Sequence, residues 1–376
     1  MSIIVDCRSA AIEPYTPFMQ GLKKLNVPTH RIEYVDIMHI RSFSSVGPSC
    51  FYYFKLRYWN YMKKLWQIAQ KINTDHCSIS FDEPMKEHTT FRIGGPADLF
   101  IRPRSILAFK EVLELLQIEN VPFFILGGGA NILVGDKGIR GAVIDTSLLS
   151  SIMHLKQKNK NDPILLYAEC GVPLITLCEE AQVCGLSGLE NFYGMPGSLG
   201  GSIYMNARCY EDDISTHIQD LTIIDNQGRF KILPASAQSW SYKRSPFMPG
   251  GELESFIICA ASFRLISDDP KKIAERMCFR MRDRMQKRHF NFPSAGSMFK
   301  NNHDFGKPTG KILDELGLRN YRVGNALISP WHANIFVNIG EASARDMKEL
   351  IEYAQKVVHN ATGFCLEPEV LFVGEF

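Results

Sequence analysis

Apolar residues along this chain recur at two spacings, about every 3.6 positions and about every second position, and from about Leu65 onward the two alternate segment by segment. Ala108 to Asn120 carries its apolar residues at helical spacing and predicts a helix. Phe123 to Leu126 and Ala142 to Asp145 are short apolar runs, which predict buried strands. Ile164 to Ala168 predicts a further strand, and Pro173 to Cys184 a helix with proline in its first turn and Gly185 just past its end. The polar stretch His154 to Asp162 is expected to be a hairpin-like loop.

Ile218 to Asp225 and Phe256 to Leu265 are strand-like, and a basic helix, Pro270 to Lys287, follows them. The last third predicts a helix (Gly310 to Leu316), a strand (Ala333 to Asn338), a helix (Ala344 to Asn360) and a strand (Val370 to Val373). In the longer of these helices Met347, Leu350, Ile351, Ala354, Val357 and Val358 form one apolar stripe. Ser343 can cap it, Asp346 sits in its first turn, and Gly363 stops it, so this helix is expected to cover a small sheet. The fold class is α+β, without an internal repeat. Residues 1 to about 60 are rich in aromatics, as in Phe51-Tyr52-Tyr53-Phe54, yet show neither period over a useful length. No function is assigned to them, and a start of translation at Met62 is the working expectation.

At 376 residues the chain is long enough for two or three cores, and its formal charge of +2 gives no field that would favour nucleic acid or a membrane surface. No run of apolar residues is long enough to span a bilayer, so a cytoplasmic protein is expected. The 10 cysteines include no C-x-x-C pair and several lie in apolar runs, which suits buried free thiols in a reducing compartment. The 10 histidines show no ligand spacing such as H-E-x-x-H, and no metal is expected.

Glycine carries the first chemical signal. Gly127-Gly128-Gly129-Ala130-Asn131 follows a buried strand directly, where absent side chains would let a phosphate reach backbone N–H groups. A tight turn would use the same residues. Neither a G-x-G-x-x-G helix start nor a Walker lysine is present, so the Rossmann and P-loop readings are poor. A second cluster, Gly194-Met195-Pro196-Gly197-Ser198-Leu199-Gly200-Gly201-Ser202, and a third segment, Thr89-Thr90-Phe91-Arg92-Ile93-Gly94-Gly95, would let separated loops clamp one dinucleotide.

These segments, with Met205-Asn206-Ala207, Pro293-Ser294-Ala295-Gly296-Ser297-Met298-Phe299-Lys300 and Leu366-Glu367-Pro368-Glu369-Val370, stand in the order found in MurB-type enolpyruvyl sugar-nucleotide reductases. The chain resembles that family from about residue 72 to its C-terminus, in its shorter, type II form. The resemblance implies a two-subdomain FAD-binding unit of the vanillyl-alcohol-oxidase (PCMH) type at 65–265, a smaller α/β substrate domain at 266–376, and a separate extension at 1–64. It also implies non-covalent FAD reduced by NADPH, and reduction of UDP-N-acetylglucosamine enolpyruvate to UDP-N-acetylmuramate, a peptidoglycan precursor. The FAD contacts it implies are Thr90, Gly127, Gly128, Gly129, Ala130, Asn131, Pro196, Gly197, Gly200 and Ile203. A UDP-sugar is the expected partner, with no nucleic acid or membrane, and the protein is expected to be a monomer.

The same resemblance assigns Ser297 as proton donor and Glu369 as the catalytic carboxylate. Without it, Ser297 would be one more loop hydroxyl satisfying backbone groups, and Glu369 an inward neighbour of an exposed Glu367 on a charged edge. Where the family has an enolate-neutralising arginine, this chain has Lys243 with Arg244 one step on; lysine keeps the charge but not the bidentate fork. Lys243 is the aligned catalytic cation, and Arg244 a substrate-binding residue able to take over its role. Lys287 matches a family lysine that meets the substrate diphosphate, or is one more solvated cation beside Arg280, Arg282 and Arg284. After Asn206 the family's glycine, alanine, tyrosine, glycine is replaced by Arg208-Cys209-Tyr210-Glu211, and the loss of two glycines is expected to alter a turn near the flavin ring. Another flavin oxidase of the same superfamily would need neither the serine nor the glutamate motif, whereas a nucleotide-binding module without catalysis would tolerate these changes.

Overall fold

A computed structural model of the chain describes residues 48–155 and 164–376, apart from the side chains of residues 48–59 and 164. Its first layer is a four-stranded sheet in the order Cys77–Pro84, Pro96–Pro103, Ile139–Asp145, Phe123–Leu126, with the last three strands parallel. Alternate residues of the Pro96–Pro103 strand face opposite ways, and both faces are largely buried, so both are covered. Leu99 and Ile101 pack under the helix Ile106–Ile118, while Phe100 packs with Leu126, Ile132, Val134 and Val143 on the far side. Ser105 starts that helix by accepting a hydrogen bond from the Ala108 amide at 3.1 Å.

The second layer is an antiparallel sheet in the order Phe230–Pro234, Ile218–Ile224, Ile257–Ser267, Ile164–Glu169, Ile152–Leu155. Helices Leu174–Val183 and Pro270–Gln286 bury its apolar face around Phe192, Leu221 and Phe263. The third is a four-stranded antiparallel sheet, Ser294–Ser297, Ile335–Asn338, Ala326–Ile328, Arg322–Val323, under helix Ala344–Thr362. That helix opens with a full capping box between Ser343 and Asp346 and ends at Gly363 with φ +76°. The expected stripe is buried at Met347, Leu350, Ile351, Ala354 and Val358, and half-buried at Val357. The last strand, Leu371–Val373, leaves this third unit and pairs in parallel with Ile132–Val134 of the first. No helix among the described residues is long and apolar enough to cross a membrane.

The structure differs from the sequence reading in four places. Residues 48–60 are not patternless: the helix Pro48–Lys71 begins there and runs through the expected boundary at residue 64. Among the described side chains, Leu65, Ile68 and Ala69 are its buried core contacts, with Ile72 just past its end and Tyr61, Met62 and Trp66 packed alongside. Pro173 is the residue before the helix, not inside its first turn. His154 and Leu155 are strand residues paired with Leu166 and Leu165, and the rest of the expected loop, 156–162, lies outside the described residues. Cys77, Cys170, Cys178 and Cys259 are buried as expected, but Cys184, Cys278 and Cys365 are exposed.

Tyr61, which a start at Met62 would leave out, is tied into the first sheet. Its hydroxyl donates to Asp98 Oδ2 at 2.7 Å and accepts from the Gly141 amide at 2.5 Å, and Asp98 Oδ1 meets the Arg140 guanidinium at 2.6 Å. Asp98 is fully buried, which raises its carboxyl; Arg140 and the tyrosine work against that rise. Tyr61→Phe removes one of two donors to Asp98 Oδ2, the Gly141 amide remaining at 3.1 Å, and is expected to cost about 0.5–1.5 kcal/mol in urea unfolding of the full chain, with no change in flavin content. An unchanged midpoint would show that water replaces the hydroxyl at no cost.

Candidate active site

Glu369 joins three segments that are far apart in sequence. Its backbone N–H donates to the Met298 carbonyl at 2.8 Å, and its own carbonyl accepts from Asn131 Nδ2 at 3.0 Å. Its side chain accepts from Lys243 Nζ at 2.6 Å, and the two charged groups are only 13% and 15% exposed. Met298 thus lies opposite Glu369 on the neighbouring segment, and Ser297 precedes Met298 directly. The pairing continues away from Ser297, with a bridge between Phe299 and Pro368 and a bond from the Lys300 amide to the Glu367 carbonyl at 3.0 Å. Glu367 itself is exposed and pairs with Lys300.

Ser297 owes its orientation to a β-bulge: pairing to the Ile335–Asn338 strand slips between Ser294 and Ser297. Gly296, at φ +76°, absorbs the slip, and Ser297 is left exposed. Asn334 fixes the other side of this segment. Its carbonyl accepts from the Met298 amide at 2.7 Å, and its side chain exchanges bonds with both the N–H and the C=O of Phe299. Nothing in the local sequence pattern marked Asn334, because its partner lies 35 residues away.

Lys243 sits in a tight turn closed by two hydrogen bonds of 3.1 Å between Ser241 and Arg244. Its φ of +53° is uncommon for a residue with a side chain. The turn is held from below by Asn206 Nδ2, which donates to the Ser241 carbonyl at 2.8 Å, and by Ser245 Oγ, which donates to the Tyr204 carbonyl at 2.6 Å. Arg244 is exposed and donates to the Pro249 carbonyl at 2.8 Å. The turn therefore brings Lys243 to Glu369, with Arg244 engaged elsewhere.

The glycine segments pack on one another. A Cβ on Gly128 would lie 2.5 Å from the Gly197 Cα, and one on Gly129 would lie 2.0 Å from the His88 carbonyl. The Gly128 amide donates to Ser198 Oγ at 3.1 Å, and the Thr90 amide to the Gly129 carbonyl at 3.1 Å. Thr90, Gly127 to Asn131, Pro196 and Gly197 thus share one place. Gly200 and Ile203 turn into the protein instead: the Gly200 amide donates to the Cys170 carbonyl at 2.7 Å, and Ile203 is fully buried.

Two observations fit a bound flavin dinucleotide. The successive amides of Gly129, Ala130 and Asn131 have no acceptor among the described residues, a concavity of donors of the kind that holds a phosphate. Asn206 is 1% exposed, yet its Oδ1 has no donor. A polar ring edge would satisfy it.

Lys287 lies at an edge of the site, exposed and paired with Asp283 at 2.7 Å. Asp283 also accepts from the Tyr210 hydroxyl at 2.6 Å, and the Arg280 guanidinium lies 4.2 Å from the centre of the Tyr210 ring. Lys287 and Tyr210 hold the Asp283 carboxyl below its usual range. Burial, and then the Asp283 bond, push the Tyr210 hydroxyl up to about 12. Tyr210 and Glu211 form the two-residue turn of a small hairpin, with φ of 50° and 65°. Non-glycine residues thus adopt a left-handed turn here, held by the contacts of Tyr210.

Comparison with known proteins gives a consistent result. Residues 97–233 match the family "FAD binding domain", and residues 286–373 match "UDP-N-acetylenolpyruvoylglucosamine reductase, C-terminal domain". UDP-N-acetylenolpyruvoylglucosamine reductase of Treponema denticola is 39% identical over 80% of this chain and 94% of its own length. The enzyme of that name from Borreliella burgdorferi is 37% identical over 77% of this chain and 93% of its own. The crystal structure of the Thermus caldophilus UDP-N-acetylenolpyruvylglucosamine reductase (MurB) superposes with a TM-score of 0.63 at 28% identity, covering 79% of this chain and 98% of that one.

Just beyond Lys287, burial and the nearby His332, Arg284 and Lys287 bring the His289 imidazole down to about 4. The folded protein thus holds it neutral where the unfolded chain, near 6.5, would take up a proton. Its contribution to stability is present above about pH 6.5 and is lost as pH falls from there towards 4. Between pH 6.5 and 5 the wild-type thermal midpoint is expected to fall more steeply than that of His289→Gln; parallel slopes would refute the assignment.

Proposed function

The chain belongs to the UDP-N-acetylenolpyruvoylglucosamine reductase family, and we propose that Ser297, Glu369 and Lys243 do the proton and charge work of its reaction. The protein is an FAD-dependent oxidoreductase that reduces UDP-N-acetylglucosamine enolpyruvate to UDP-N-acetylmuramate in peptidoglycan precursor synthesis, with NADPH as the expected reductant. The observation that carries the residue roles is the Lys243–Glu369 pair at 2.6 Å, on a glutamate whose backbone is bonded to the neighbour of Ser297 and to the triple-glycine loop.

Bound FAD supplies the hydride for the enolpyruvyl carbon distal to the ether oxygen. The protein has to stabilise the negative charge this leaves on the substrate and to deliver one proton to the adjacent carbon. Ser297, unencumbered at the end of its bulge, is the proton donor. Lys243 supplies the positive charge, and Glu369 aims it. Lys287 is the candidate contact for the substrate diphosphate, supported by its exposure and by Arg280 nearby. The Gly127–Asn131 amides, with Thr90, Pro196 and Gly197, are the candidate pyrophosphate and ring contacts; Gly200 and Ile203 would support them from behind. Arg244 shapes the Lys243 turn in this reading. A boundary near residue 265 between cofactor and substrate units, and a cytoplasmic monomer, complete the proposal.

Ser297→Ala is expected to leave a yellow protein that NADPH reduces normally, while reoxidation by the enolpyruvyl substrate under anaerobic conditions slows by about 10²–10⁴-fold. Reoxidation at the wild-type rate would remove Ser297 from the mechanism. Lys243→Ala should slow the same step by at least about 10²-fold and Lys243→Arg by much less, whereas Arg244→Ala should retain most activity. The reverse ranking of Lys243 and Arg244 would transfer the role to the arginine.

A further inference from the structure

Away from the glycine loops, His154, Glu180 and Cys184 bring three different metal-ligand types together. His154 lies on the strand Ile152–Leu155, at the edge of the second sheet, and Glu180 and Cys184 are one turn apart at the end of helix Leu174–Val183. His154 Nε2 is 3.0 Å from Cys184 Sγ and 3.3 Å from Glu180 Oε1, and the sulfur and the carboxylate oxygen are 3.7 Å apart. With metal–ligand bonds of about 2.0–2.3 Å, the edges of a tetrahedron are about 3.3–3.8 Å long. Two of the three separations fall in that range and the His154–Cys184 one is about 0.3 Å short of it, so a small opening of the cluster would make one face of such a site, and all three residues are partly open to solvent.

We propose that His154, Glu180 and Cys184 form a Zn²⁺ site with water as the fourth ligand, which staples the edge strand to the helix. Imidazole, thiolate and carboxylate together favour a borderline-soft cation over Mg²⁺ or Ca²⁺. Burial and the charge of Glu180 push the Cys184 thiol up, so without a cation it keeps its proton. On binding, the S–H proton leaves to solvent as the sulfur–metal bond forms. The site is structural. The other end of the same helix meets the second glycine cluster, where the Leu174 amide donates to the Gly197 carbonyl at 3.0 Å, and ten residues of helix separate the two ends by about 15 Å. A scan for ligands spaced along the sequence cannot find it, because His154 comes from a different element.

The test uses the full chain with its flavin. Co²⁺ added to metal-free protein should give intense tetrahedral bands at wavelengths beyond the flavin's absorption, saturating at one ion per chain and displaced by Zn²⁺. The bands should disappear in Cys184→Ser and in His154→Ala. Cys365 Sγ, 3.7 Å from His359 Nδ1, is the internal control. Absence of the bands, or bands that survive Cys184→Ser and vanish in Cys365→Ser, overturns the proposal. A second measurement needs no variant: Zn²⁺ should slow alkylation of Cys184 by about tenfold or more, read by peptide mass spectrometry, while leaving the exposed Cys278 within about twofold. Equal protection of the two thiols, or none, would also overturn it.

Discussion

The ion pair between Lys243 and Glu369 is the contact on which the rest of the site depends. Both groups are largely withdrawn from water, and the nitrogen–oxygen distance is 2.6 Å. Removing either partner would strand a poorly solvated charge, which costs far more than the net value of the pair. The pair therefore does less for the stability of the fold than for its specificity: it fixes where the Tyr242–Lys243 turn lies relative to the C-terminal tail. Glu369 can serve as that fixed point because its backbone is already engaged on both sides, by Met298 and by Asn131.

The tail reaches Asn131 because the final strand leaves its own unit. Leu371, Phe372 and Val373 pair with Ile132, Leu133 and Val134, so the strand that follows the triple-glycine loop is also the strand that receives the chain terminus. The triple-glycine loop and Glu369 are thus positioned by one parallel pairing, not by the docking of two independent surfaces. The cradle is itself a close contact of backbones. Gly128 lies against Gly197 and Gly129 against His88 at separations that admit no Cβ, so the glycines first let three loops meet and only then leave amides free for a phosphate.

This explains which parts of the molecule could be read from sequence. Elements whose apolar stripe runs their whole length, such as Ala344–Thr362, were legible down to the cap at Ser343 and the stop at Gly363. The start of the helix Pro48–Lys71 was not, since no apolar period of useful length marks it along the chain. The chemistry was legible as motifs, and the roles of Ser297 and Glu369 came from family resemblance; without it the one reads as a loop hydroxyl and the other as part of a charged edge. Asn334, the orphaned oxygen of Asn206 and the His154–Glu180–Cys184 cluster left no trace along the chain. Each owes its significance to a neighbour brought in by tertiary structure, and a one-dimensional pattern does not carry that information.

The left-handed residues around the site follow the same logic of position over local preference. Lys243, Asn206, Tyr210 and Glu211 all have positive φ, and only asparagine adopts it readily among these. Each of the others costs on the order of 1 kcal/mol, which an isolated turn would shed by rearranging. At Lys243 the conformation is held by the Ser241–Arg244 bonds and by Glu369 at the far end of the side chain; at Tyr210 it is held by Asp283 and Arg280. Arginine at position 243 would bring a planar fork to a carboxylate that meets lysine through one oxygen, with its second oxygen left for solvent or substrate. A point charge on a flexible stem suits that arrangement. Lysine in this turn is therefore compatible with charge stabilisation, provided that Glu369 holds the ammonium where the enolate forms.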